Sequence, residues 1–123
     1  MRTALKSISG LGSAHEGTGH FIKQRVTAVI LLVLVPLFLF QFLASLSSGY
    51  GGVMAWLGSP FGALVSFVMV SAMIAHMRIG LAVVIEDYVG GRARRLLLLL
   101  NALTALALWL VAIFALIKIN FGG

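Results

Sequence analysis

The chain has no cysteine, only three acidic residues and only two prolines in 123 positions. Without cysteine there are no disulfides and no thiolate metal sites, so any iron–sulfur cluster it works with sits on another chain. Its only acids are Glu16, Glu86 and Asp87, against nine Lys and Arg. Charge of both signs amounts to 10% of residues, against roughly 25% in soluble domains. Hydrophobic residues fill the gap at 61%, with a mean hydropathy of +1.12. A soluble fold of this size could not bury that much apolar surface. The solvent for most of the chain is lipid.

Three apolar runs follow from this, each long enough for a hydrocarbon core of about 30 Å at 1.5 Å per residue. They are expected at residues 26–46, 61–85 and 96–117, the last led by five leucines. Pro36 falls inside the first, where it should kink the helix. Residues 1–25 form a polar, glycine-containing arm, expected to be flexible or partly helical, and residues 26–123 form the membrane domain. The arm has no apolar h-region, which argues against a secretory signal. Its glycines at 10, 12, 17 and 19 follow no strand and precede no Gly-Lys-Ser/Thr, so a phosphate loop is a weak reading. His15 and His20 read as solvated. Residues 47–60 read as a loop, with Tyr50 and Trp56 suited to the membrane interface. The fold expected is all-α and integral to the membrane, three transmembrane helices forming part of a heteromeric bundle.

The net charge of +6 comes from bases that mostly flank the apolar runs, where membrane orientation explains them better than nucleic acid does. Arg2, Lys6, Lys23, Arg25, Arg92, Arg94 and Arg95 lie in the arm and the second loop, and the first loop has no charge. Three spans then put the amino terminus and second loop on the cytoplasmic (or matrix) side.

Chemistry concentrates in residues 75–89. His76 lies near the middle of the second span, where a charged residue costs about 2.5 kcal/mol or more. It should therefore face protein and be neutral or coordinated. Three roles compete: haem ligand, proton relay, or hydrogen-bonded packing residue. Ala72, His76, Gly80, Val83 and Asp87 fall on one helical stripe. The small Ala72 and Gly80 would give clearance to a flat macrocycle, and would equally serve helix packing. Asp87 lies eleven residues past His76, about 16 Å along the axis, with Tyr88 beside it. An interfacial tyrosine is usually an anchor, and an acid near three arginines is usually a solvated ion pair. The functional alternative is that Tyr88 donates to a carbonyl ligand, with Asp87 setting charge or relaying a proton. Arg78 is too deep for a topogenic charge, and snorkelling, pairing with a partner subunit and contact with a haem propionate stay open. Arg25 reads as a headgroup contact, with a propionate or quinone-site contact as the minority reading. Asn101 and Thr104 suggest packing in the third span.

The pattern His76-x3-Gly80-x6-Asp87-Tyr88-Val89 resembles the small cytochrome b membrane anchor of succinate dehydrogenase (respiratory complex II). The helix entry Phe21-Ile-x-x-Arg25-x-Thr27-Ala28, the size and the three-span topology resemble it too. Gly17-Thr-Gly-His20 and Val84-Ile-Glu-Asp-Tyr88 look most like the alphaproteobacterial branch. The resemblance implies that His76 is one axial ligand of haem b, shared with a histidine of the larger cytochrome b anchor subunit. It implies that Tyr88 helps bind ubiquinone, with Asp87 adjacent. It places FAD and the iron–sulfur clusters on a flavoprotein and an iron–sulfur subunit, so this chain alone would carry no succinate chemistry. The expected location is a bacterial inner membrane, ahead of a mitochondrial one. A fumarate reductase-type anchor and a non-redox scaffold or transporter subunit are the alternatives.

Overall fold

The computed structural model describes residues 4–122, with side chains from residue 19 onward. The side chain of His15 and the arm glycines at 10, 12 and 17 lie outside the described side chains. Four helices follow one another: α1 (Ala4–Leu46), α2 (Gly49–Leu57), α3 (Pro60–Tyr88) and α4 (Gly91–Phe121). Three helical segments are long and apolar enough to cross a membrane: Gly19–Leu46, Pro60–Tyr88 and Gly91–Phe121. The chain is an all-α, multi-pass membrane protein.

Each span runs past the hydropathy boundary, because helix propagation continues wherever backbone hydrogen bonds can form and stops at a cap rather than at a change in polarity. For α3 the stops are identifiable. The Ser59 side chain accepts a hydrogen bond from the Gly62 amide, and Pro60 follows it at the first helical turn, where its missing N–H costs nothing. At the other end Gly91 adopts φ +67°, a left-handed conformation that glycine accepts freely, and the chain reverses into α4. The segment 47–60 is not the open loop expected from its glycines and serines. It contains α2, which is held by tertiary contacts. Trp56 donates from Nε1 to Gln41 Oε1 on α1 at 3.0 Å. Its ring lies 5.2 Å from Phe38 and 6.3 Å from Phe42, centroid to centroid. Trp56 is thus a packing anchor, whereas Tyr50 is exposed.

α3 is the central helix, with α1 and α4 packed on different sides of it. Its buried residues are Gly62, Val65, Ser66, Met69 and Ala72, and the α4 residue Ala105 is buried with them. At Gly62 a Cβ would collide with the carbonyl of Trp56, so the α2–α3 corner closes only around a glycine. Polar links then pin the helices to one another, as is usual where lipid removes the hydrophobic drive between them. Trp109 Nε1 on α4 donates to Ser71 Oγ on α3 at 2.9 Å. Asn101 Nδ2 on α4 donates to the Arg78 carbonyl at 2.9 Å. Asn120 Nδ2 reaches the Leu57 carbonyl of α2 at 3.2 Å. Thr104, expected to pack inside the third span, is exposed. Large side chains such as Leu32, Phe40, Val111 and Phe114 point outward on this chain, towards lipid or partner helices.

Candidate functional site

His76 sits on the face of α3 that α1 covers. Its Nδ1 lies 3.0 Å from Thr27 Oγ1, forty-nine residues away in sequence. The same hydroxyl lies 2.9 Å from the Lys23 carbonyl and 3.0 Å from the Gln24 carbonyl, one turn back in α1. Carbonyls only accept, so the single hydroxyl proton has acceptors within its own helix, and the oxygen lone pairs are left to receive a proton from Nδ1. In the Nδ1–H tautomer the imidazole donates to Thr27 Oγ1, and its Nε2 lone pair has no partner among the described residues. A half-buried imidazole so held is a ready ligand or proton acceptor at one nitrogen.

The small residues of the stripe are used by α1. Ala72 is buried. A Cβ on Gly80 would meet Gln24 Nε2 at 3.4 Å, an ordinary contact, so the Gln24 side chain lies across α3 one turn beyond His76. The Gln24 Oε1 atom is buried with no hydrogen-bond partner among the described residues. Within this chain, then, Gly80 is where the Gln24 side chain of α1 approaches α3.

Asp87 and Tyr88 end α3, and both are exposed, Tyr88 at 84%. Neither converges with His76, which is about 16 Å distant along the helix. The solvated ion pair expected between the acids and the arginines is replaced by a backbone cap. Arg94 donates from Nε to the Val89 carbonyl and from Nη2 to the Glu86 carbonyl, both at 2.8 Å. These carbonyls are the orphan acceptors of a helix C-terminus, which a guanidinium fork satisfies well. Arg25 is exposed, about 200° round α1 from Thr27, with its guanidinium 5.0 Å from the Phe21 ring centroid. Arg78 is exposed on the α4 side of α3. His20, expected to be solvated, is half-buried instead, because α1 runs unbroken from the arm into the span and keeps His20 beside α3. Among the described residues no three His, Cys, Asp or Glu side chains come together.

Residues 1–117 match the family described as succinate dehydrogenase/fumarate reductase transmembrane subunit. The chain belongs to that family. It is 33% identical over 121 residues to the succinate dehydrogenase hydrophobic membrane anchor subunit of Paracoccus denitrificans, covering 98% of this chain and 94% of that one. The protein of the same name from Rickettsia bellii is 30% identical over 118 residues, covering 92% and 94%. No solved structure matches the chain.

Within this family of transmembrane subunits, the geometry divides the sequence candidates into two groups. His76 is held by a neighbouring helix, and Asp87 and Tyr88 stand free at a rigid helix end. Thr27 and Gln24 escaped sequence reasoning as neighbours of the histidine. Thr27 lay within the helix-entry motif, but nothing in its local pattern signals a partner on another helix. Arg94 reads from sequence as a topogenic charge and as one of three arginines near an acid, and neither reading signals a backbone cap.

Proposed function

We propose that this anchor subunit supplies His76 as one axial ligand to a haem b shared with the larger cytochrome b anchor subunit, and forms part of a ubiquinone-reducing site at Asp87 and Tyr88. The observation that carries the reading is the 3.0 Å contact between His76 Nδ1 and Thr27. Ligation at Nε2 requires the proton to sit on Nδ1, and a hydrogen-bond acceptor there orients the ring and raises its basicity. A single histidine so placed fits a haem iron that would be held jointly with a histidine of the larger anchor subunit. When bound, haem would supply a one-electron redox centre beside His76.

This chain's own contribution is positional. Thr27 holds the His76 tautomer. Tyr88, exposed at the helix end, offers its O–H to a quinone carbonyl oxygen, where negative charge builds as electrons arrive. Asp87 beside it tunes the local charge and can pass a proton from water to the reduced oxygen. Oxidising succinate to fumarate releases two electrons and two protons, and reducing a quinone to quinol consumes the same number. The first half-reaction belongs to FAD on the flavoprotein, with clusters on the iron–sulfur subunit as the route between. The charge pattern sets the amino terminus and the loop between α3 and α4 on the cytoplasmic face of a bacterial inner membrane, the side on which soluble partners dock. A fumarate reductase anchor is the neighbouring reading within the family. The relatives from Paracoccus and Rickettsia, all named for succinate dehydrogenase, favour the forward direction. A non-redox scaffold or transporter subunit finds no support in the family.

The test is the reduced-minus-oxidised spectrum of the purified complex. A b-type spectrum is expected, and His76→Leu should abolish it or displace its midpoint potential. An unchanged spectrum and potential would remove His76 as a ligand.

A further inference from the structure

Arg78 has no part in the reading above. It lies ten residues inside α3 from Tyr88, about 15 Å along the axis and about 200° round the helix from His76. Among the described residues no acid forms an ion pair with it. It lines a cavity of about 460 Å³ between α1, α3 and α4, together with His20, Lys23, Glu86 and Asn101. Two permanent positive charges face one carboxylate there, so the cavity stays basic. A second cavity, of about 300 Å³ and mostly apolar, runs deeper between α3 and α4, past Ser71, Ala105, Leu106 and Trp109. Arg78 and Ala75 line both. The Ser71 hydroxyl is already taken by the Trp109 indole, so it places no unpaired donor in the furrow. The two cavities adjoin at Ala75 and Arg78, the first basic towards the helix end and the second apolar towards the bilayer middle. His76 lines neither.

The geometry points to a binding site for a phospholipid with an anionic headgroup. Its phosphate lies against Arg78 and Lys23, and one acyl chain follows the furrow to Trp109. The charge order and the depth order of the adjoining cavities match those of a lipid in the leaflet on that side. Basic pockets between transmembrane helices are suited to such headgroups. A free phosphate would leave the furrow empty, and a neutral quinone head would leave the two bases with only the Glu86 carboxylate between them.

The experiment uses the complete purified complex, delipidated in detergent and titrated in turn with phosphatidylglycerol, phosphatidylcholine and inorganic phosphate. Bound lipid is counted by native mass spectrometry. Phosphatidylglycerol should bind in preference to phosphatidylcholine, and inorganic phosphate should not displace it. Arg78→Gln and Lys23→Gln should each weaken retention roughly fivefold, the effect of about one basic contact. Arg78→Lys, which keeps the charge, should retain most of the binding and controls for misfolding. Equal retention by wild type and the double variant overturns the proposal, as does no retention by wild type or equal binding of the two lipids. Displacement by inorganic phosphate, or by ubiquinone, reassigns the cavities and overturns it too. A haem potential displaced in Arg78→Gln with lipid retention unchanged would assign Arg78 to a propionate instead. Lipid retention does not depend on haem, so failure here and failure of the haem reading are separately visible.

Discussion

The two halves of α3 differ in how they are packed as well as in charge. From Pro60 to Ala72 the helix carries every one of its buried residues, sealed by α1, α2 and α4. From Met73 to Tyr88 it carries none, although His76, Arg78, Glu86, Asp87 and Tyr88 all lie there. One half completes its packing within the chain, and the other leaves it to lipid and to partner chains. The difference teaches where function can sit in a three-helix anchor. Groups that need a shared cofactor or substrate must stay where the chain's own helices do not close, and the closed half must hold the helix steady enough for them.

This contrast can be broken at its closed end. Gly62→Leu forces a side chain into the Trp56 carbonyl at the α2–α3 corner. Overpacking of this kind costs about 3 kcal/mol. The subunit should accumulate poorly in membranes, and the thermal midpoint of whatever complex remains should fall. Normal accumulation would show that the corner can open without penalty.

A smaller effect is expected at the boundary between the halves. Thr27→Val keeps the shape and removes the hydroxyl facing His76. The interhelical hydrogen bond is worth about 1 kcal/mol. Thermal stability should therefore drop only slightly, while the haem midpoint potential moves, and Thr27→Ser should restore both. If the potential stays put in Thr27→Val, Thr27 is packing alone.

The smallest stability effect belongs to the open end. Tyr88→Phe removes an exposed hydroxyl with no described partner, so stability should change by less than about 0.5 kcal/mol. Quinone reduction should fall while succinate oxidation with an artificial acceptor continues. If both activities fall together, the side chain is structural and the open half is not a quinone site.

The spans were readable from sequence because lipid imposes length and apolarity on any helix that crosses it. Ser59-Pro60 and Gly90-Gly91 marked the ends of α3 through their local backbone chemistry. The helix α2 was hidden, because Gly51-Gly52 and the flanking serines carry turn signals, and the interactions that override them come from Gln41, Phe38 and Phe42 on another helix. The stripe of His76 was correctly phased by period, yet its occupant was not: a period says which residues share a face, not which helix covers it. So Gly80 read as clearance for a macrocycle or for helix packing, and only the structure shows that Gln24 of α1 is its neighbour within this chain. Thr27 and His76 stand forty-nine residues apart, and no local pattern encodes such a pairing.

The Arg94 fork has a consequence for assembly. With Nη2 fastened to the Glu86 carbonyl in the last turn of α3 and Nε to that of Val89 just past it, the turn between α3 and α4 is already ordered on this chain alone. A soluble surface meeting Asp87 and Tyr88 there loses less conformational entropy on docking than it would against a slack loop. Preorganisation of that edge favours tight association without a large contact area.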